Sequence, residues 1–275
     1  ASMRFAFVKW HYYPSPKFYK HIFWRTFSIF MAGWLIHAYP FIQQDWDWSS
    51  FRYFGVLQRI AIAYGISALL IIRYDFKQLL PIISGILIFY WGLLWLGGTG
   101  DPYGLEENLV RKVDIFLFGE KHLYGGFGIP FDPEGLISAI PSVGTVLIGY
   151  LMGGMLHTTK NYTDCAKRMA IFGFGLIVVG WFWGLIFPIN KAIWTSSYVL
   201  FTGGIAALVL AGLTWLIDIK FWKRPFWVFE VFGTNSIFLF VASGLWAKTI
   251  LYIKRDLNGE MVSAYNYLYK TKNKK

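Results

Sequence analysis

Charge is the first thing this sequence is short of. Only 15% of its 275 residues are Asp, Glu, Lys or Arg, where a soluble domain carries roughly 25%, and 56% are hydrophobic. That balance argues against an ordinary soluble enzyme. Cysteine is nearly absent: a lone Cys165 makes no intramolecular disulfide and no cysteine-based zinc site. No H-x-x-x-H, H-E-x-x-H or carboxylate cluster at ligand spacing occurs, so no metal is predicted. Nothing resembles a signal peptide, with its basic start and small-residue cleavage site. No soluble domain and no convincing internal repeat stands out.

What the sequence has instead is long apolar runs, each close to the ~20 residues needed to cross a bilayer core as helix. Spans are predicted at about 22–39, 55–73, 78–97, 136–157, 168–188, 195–217 and 226–248. The fold class expected is therefore all-α, a polytopic transmembrane helix bundle of about seven complete spans in one membrane domain over residues 1–275. Residues 1–10 read as the last turns of an eighth helix, and something is expected to precede Ala1.

The net charge of +11 resolves into a topology rather than a nucleic-acid surface. Lys9, Lys17, Lys20 and Arg25 precede or open the first span. Arg73 and Lys77, then Lys160, Lys167 and Arg168, then Lys220, Lys223 and Arg224 fall on alternate connections. Basic loops face the cytoplasm, which predicts a multi-pass protein of the cytoplasmic (inner) membrane. On the other side Asp45 and Asp47 outweigh Arg52, and connection 98–135 is acidic. Trp46, Trp48, Trp95, Trp194, Trp222 and Trp227 sit at span ends as interfacial aromatics. The basic tail from Lys248 to Lys275 does not fit the alternation; further helices beyond it are the favoured explanation, a tail lying along the membrane the other. Connection 98–135 is too long for a plain linker and is expected to fold as an extracytoplasmic loop over the outer ends of the helices.

Polar groups at membrane depth are costly unless paired, which makes them informative. Arg59, one turn into the second span beside Gln58, must meet an acid, bind an anion or snorkel to the headgroups. Glu230 reads as an interfacial carboxylate paired with Lys223 or Arg224. Asn235 reads as an interhelical hydrogen-bonder. FDPEG at 131–135 reads first as a helix start, with Asp132 as N-cap, Pro133 at the first position and Glu134 on the positive dipole end. A cap alone would tolerate Asn at 132. Pro141 then implies a kink or a second helix start. Of five histidines, His11, His21, His37 and His157 read as structural or solvated, and His122, in the outside loop near Glu120 and Glu134, is either structural or an acid–base group. GGTGDPYG at 97–104 lacks the Lys-Ser/Thr of a phosphate loop and reads as turns. Gly149/Gly153, Gly180/Gly184 and Gly203-Gly204 suit close helix packing.

Four blocks, RYFGVLQRIAIAY (53–64), LFGEKHLYGG…GIPFDPEGLISAIPSVGTVLIGYLMG (117–153), PINKAIWTSSYVLFTGG (188–204) and FGTNSIFLF (232–240), together resemble the heparan-α-glucosaminide N-acetyltransferase family. The resemblance covers nearly the whole chain in order, with DPEG and NK-x-x-WT-S-S its most specific blocks. It implies a membrane acyltransferase that moves an acetyl group from cytoplasmic acetyl-CoA to an amino sugar or envelope glycan on the outer face, needing no metal. Its partners would be the bilayer, acetyl-CoA and the glycan acceptor, with homo-oligomerisation left open. Arg59, His122, Asp132, Glu134, Asn190, Lys191 and Asn235 lie in matched blocks and are the candidates for substrate or donor contact. The family's catalytic His follows an Asn in a loop before the first matched block, and no counterpart occurs here. The chain is thus expected to be a fragment, shortened at both ends and inactive alone, with no catalytic residue assigned. The alternative is a carrier for a sugar or small anion, which would call for broken helices near the midplane and an internal repeat. O-acylation by an unrelated membrane acyltransferase type is argued against by the two specific blocks.

Overall fold

A computed structural model describes residues 2–8, 14–40, 48–257 and 260–267. His11, Lys9, Asp45, Trp46 and Asp47 lie outside them, as does most of the basic tail. The chain is an all-α helix bundle: α1 (Ser2–Val8), α2 (Pro16–Ala38), α3 (Val56–Arg73), α4 (Phe76–Gly97), α5 (Leu109–Phe118), α6 (Ala139–Thr158), α7 (Tyr162–Trp183), α8 (Ser196–Thr214), α9 (Trp227–Thr234) and α10 (Ser236–Tyr252). A short antiparallel hairpin, β1 (Lys254–Leu257) and β2 (Glu260–Ser263), follows, with Lys254 opposite Ser263.

The helix starts are written in cap residues. Ser15 Oγ accepts from the Phe18 amide ahead of Pro16, Asn108 Oδ1 from Arg111, Asn161 Oδ1 from Thr163 and Thr195 Oγ1 from Tyr198, each satisfying a backbone donor the helix cannot. Among the described residues, α3, α4, α6, α7 and α8 extended through a π-helical turn to Ile219 are long and apolar enough to cross a bilayer. Residues Arg224–Thr234 and Ser236–Tyr252 meet at a 75° bend and make a sixth span if taken as one. The first span expected is helical as α2, but Lys17, Lys20, Arg25 and two histidines dilute its apolar character. The protein is a multi-pass membrane protein.

Helix α6 is the centre, with 67% of its apolar window buried against 28–44% for the others. Its Val143, Leu147, Ile148 and Leu151 pack with Leu87 of α4 and Val199 of α8. The α7–α8 pair is the tightest: a Cβ on Gly204 would sit 2.5 Å from the Gly173 carbonyl, and one on Gly180 2.6 Å from the Phe201 amide. Gly203, by contrast, has only ordinary contacts with Ile148 at 3.5 Å. Helices α2, α4 and α7 run toward one end of the bundle and α3, α6 and α8 away from it. The loop 98–135 folds at that end around α5, and a second core of Tyr90, Leu94, Val110, Phe131, Phe187 and Ile193 joins it to α4 and the turn after α7. On α5, Phe116 and Leu117 are exposed, and Val110 supplies the anchor.

Three local expectations change. FDPEG does not start a helix: residues 133–138 form turns and α6 begins at Ala139, placing Pro141 in its first turn. Glu230 makes no ion pair with Lys223 or Arg224 among the described residues. Lys248, counted in the unexplained basic tail, caps α2 by donating to the carbonyls of Ile36, His37 and Tyr39 at 2.6, 3.2 and 3.1 Å.

Candidate functional site

The extended strap before α3 is held by side chains from two sides. Three consecutive carbonyls accept bonds: Phe51 from His122 Nδ1 (2.7 Å), Arg52 from His37 Nδ1 (2.9 Å) and Tyr53 from Trp34 Nε1 (2.9 Å). A carbonyl can only accept, so each imidazole carries its proton on Nδ1. The His122 ring also stacks on Tyr53 with centroids 4.6 Å apart. This strap fixes Arg52.

Arg52 forks onto the FDPEG turn. Its Nε and Nη2 donate to the two oxygens of Asp132 at 2.7 Å each, and Nη2 also reaches Glu134 Oε2 at 2.7 Å. Asp132 is 1% exposed and additionally accepts from the Glu134 amide, so its charge is fully engaged. Burial opposes the Arg52 charge, but Asp132 and Glu134 outweigh it and hold the guanidinium above its ordinary value. Arg59, the buried cation of α3, donates to the Pro133 carbonyl (3.1 Å), approaches Glu134 Oε1 (3.7 Å) and lies 3.9 Å above the Trp194 ring. It meets both an acid and an aromatic face; it does not snorkel.

The turn itself rests on Asp114 of α5. Its Oδ1 accepts from the Leu136 amide (3.1 Å), and its buried Oδ2 has no partner. Residue 135 must be glycine: a Cβ there would lie 1.7 Å from that Oδ2. Burial pushes the Asp114 carboxyl up to about 7, opposed by the Leu136 bond and reinforced by Asp132.

The third wall is the NKAIWTSS block. Ser197 Oγ donates to Phe187, Thr195 Oγ1 to Pro188 and Ser196 Oγ to Leu87 of α4, which locks the turn 187–195. Trp194 sits there at φ 52, a left-handed backbone costing a bulky residue about 1–3 kcal/mol. Its indole N–H is tied to Thr145 Oγ1, leaving the ring face to Arg59. Asn190 spends Oδ1 on the Ala192 amide.

These walls enclose a cleft of about 580 Å³ lined by Arg52, Arg59, Tyr124, Glu134, Asn190, Lys191 and Trp194, among others. The candidates Arg59, Glu134, Asn190 and Lys191 line it, and Asp132 lies directly behind through Arg52. His122 stands one layer out, clamping the strap. Asn235 is elsewhere, exposed at the α9–α10 bend, and among the described residues its side chain bonds only to Val231 and Thr234 of α9. Arg52, Tyr124 and Trp194 escape the sequence reading, since Arg52 counts there only as loop charge and Trp194 as an interfacial aromatic. Trp48, Trp95, Trp222 and Trp227 do have exposed rings. Both Asp132 oxygens and Glu134 Oε2 accept hydrogen bonds and Glu134 Oε1 faces Arg59 at 3.7 Å, whereas Arg52 Nη1, Asn190 Nδ2 and Lys191 Nζ have no partner among the described residues. The cleft therefore offers donors and asks for acceptors. Among the described residues, no three His, Cys, Asp or Glu side chains gather to hold a metal ion.

No family model matches the chain. Two curated proteins are similar to it: heparan-alpha-glucosaminide N-acetyltransferase of Homo sapiens, 25% identical, and the protein of the same name from Mus musculus, 26% identical, each over 80% of this chain. The chain spans 41% of the length of either relative. The matched share is the larger part of this membrane helix bundle, and over it the chain is similar to the heparan-alpha-glucosaminide N-acetyltransferases.

Proposed function

We propose that the whole protein transfers an acetyl group from acetyl-CoA, supplied on the cytoplasmic side, to an amino sugar or envelope glycan bound in the Arg52–Arg59 cleft at the outer face of the cytoplasmic membrane. The observation that carries this reading is the cleft's imbalance of donors over acceptors. Acyl transfer passes through an oxyanion, which preorganised donors in a low-dielectric site stabilise. Sugars and the acetyl carbonyl also present oxygens to Arg52 Nη1, Asn190 Nδ2 and Lys191 Nζ. Asp132 and Glu134 are tied to arginines, so neither serves as the free base. That role falls to the Asn-His segment the resemblance calls for, and the 275 residues alone are inactive on this reading.

The test is to incubate membranes carrying the complete protein with labelled acetyl-CoA and glucosamine-type acceptors. Labelled N-acetyl product is expected, and none from the 275 residues alone. Product from these residues alone would overturn the assignment of the base. A second reading, a carrier for a sugar or small anion, is favoured by the 75° break at Asn235, since broken helices suit transport sites. Acceptor uptake without acetylation would select it.

A further inference from the structure

At the other end of the bundle lies a second cavity of about 600 Å³, where α1, the start of α4, the end of α6 and the first turns of α7 converge. Helix α6 separates it from the Arg52 cleft: Ala139 opens near one and Thr158 lines the other, and its 20 residues span about 30 Å. We propose that this cavity binds the headgroup of an anionic glycerophospholipid, independently of the acyl-transfer reading.

Its charge is one-sided. Arg4, Lys160 and Arg168 line it against Asp164 alone, three cations less one acid, and Asp164 is already engaged by Asn161 Nδ2 at 3.0 Å. Lys160 and Arg168 are exposed and form no ion pair among the described residues. Arg4 is oriented by Tyr150, donating from Nη1 to its hydroxyl at 2.7 Å. The remaining wall is apolar, with Met155 and with Phe76 seated against Gly154, where a Cβ would meet its ring at 2.7 Å. A phosphate among guanidinium and ammonium groups with a chain against Phe76 and Met155 satisfies both chemistries at once. It also sits where α6 ends and α4 and α7 begin. A free phosphate would satisfy only the first.

Thermal unfolding of the chain in detergent micelles, followed by tryptophan fluorescence, tests this. Added phosphatidylglycerol is expected to raise Tm by about 3 °C at saturating lipid, and phosphatidylcholine to leave it unchanged. The K160Q/R168Q double variant is expected to lose the shift, K160R/R168K to keep it, and K220Q/K223Q, basic residues outside the cavity, to keep it as well. An equal rise from inorganic phosphate, from phosphatidylcholine, or in K160Q/R168Q overturns the proposal.

Discussion

A single arginine is the hub of the cleft, and its charge was visible in the sequence only as weight in a loop. Arg52 and Asp132 are separated by 80 positions, so no spacing rule links them, whereas Arg59 and DPEG announce themselves by being polar beside apolar runs. Because Asp132 binds a guanidinium fork rather than capping a helix, Asp132→Asn is expected to cost about 2 kcal/mol of stability and to lower acetyl transfer about tenfold, measured by thermal melting and by product formation in membranes. Arg59→Lys keeps the charge but not the planar stack on Trp194, and a similar loss of activity is expected; full activity would return Arg59 to a mere interfacial role. Asp114 makes a pH prediction. Its carboxyl is raised from 3.8 to about 7 in the fold, so the native state holds a proton that the unfolded chain releases. Stability from this group is complete below about pH 4 and lost as pH rises through about 7. Melting curves should show that decline, and Asp114→Asn should flatten it.

Helices were more legible than their junctions. Predicted spans at 55–73 and 195–217 match α3 and α8 closely because Gly55, Thr195 and the apolar runs mark their limits. The stretch at 226–248 conceals a bend: both halves are apolar on average, so a hydropathy window runs across the short Gly233-Thr234-Asn235-Ser236 junction without registering a change of direction. The turn at 131–138 was misread because Asp-Pro-Glu-Gly supports a helix start and a turn equally, and the choice is made by Arg52 and Asp114, which are remote in sequence. Glycine spacing pointed to close helix packing without naming the pair; Gly180 and Gly204 do lie in the α7–α8 contact, where Gly173, which the spacing does not single out, faces Gly204. Gly204→Ala places a methyl against the Gly173 carbonyl and is expected to destabilise by about 2 kcal/mol, while Gly203→Ala should lie within about 0.5 kcal/mol of the parent. Chemical denaturation in mixed micelles distinguishes the two.

For the whole molecule, sidedness is the property that gives the two ends different chemistry. Cys165 is 3% exposed, so an impermeant thiol reagent would report burial there rather than topology. In a Cys165→Ser background, Phe116→Cys, at a side chain 87% exposed on α5, is expected to be labelled in intact cells. Lys167→Cys on the exposed face of α7 should react only after the membrane is opened, and the reverse pattern would invert the orientation proposed for the cleft. The strap joining α2 to the loop adds one more trait at this scale. Its two imidazoles hold the carbonyls of Phe51 and Arg52 through Nδ1–H, a hydrogen present in both the neutral and the charged ring. The guanidinium at the centre of the cleft is thus held by a clamp whose two bonds need only the Nδ1 hydrogen, so the position of Arg52 is set by ring tautomer rather than by ring charge.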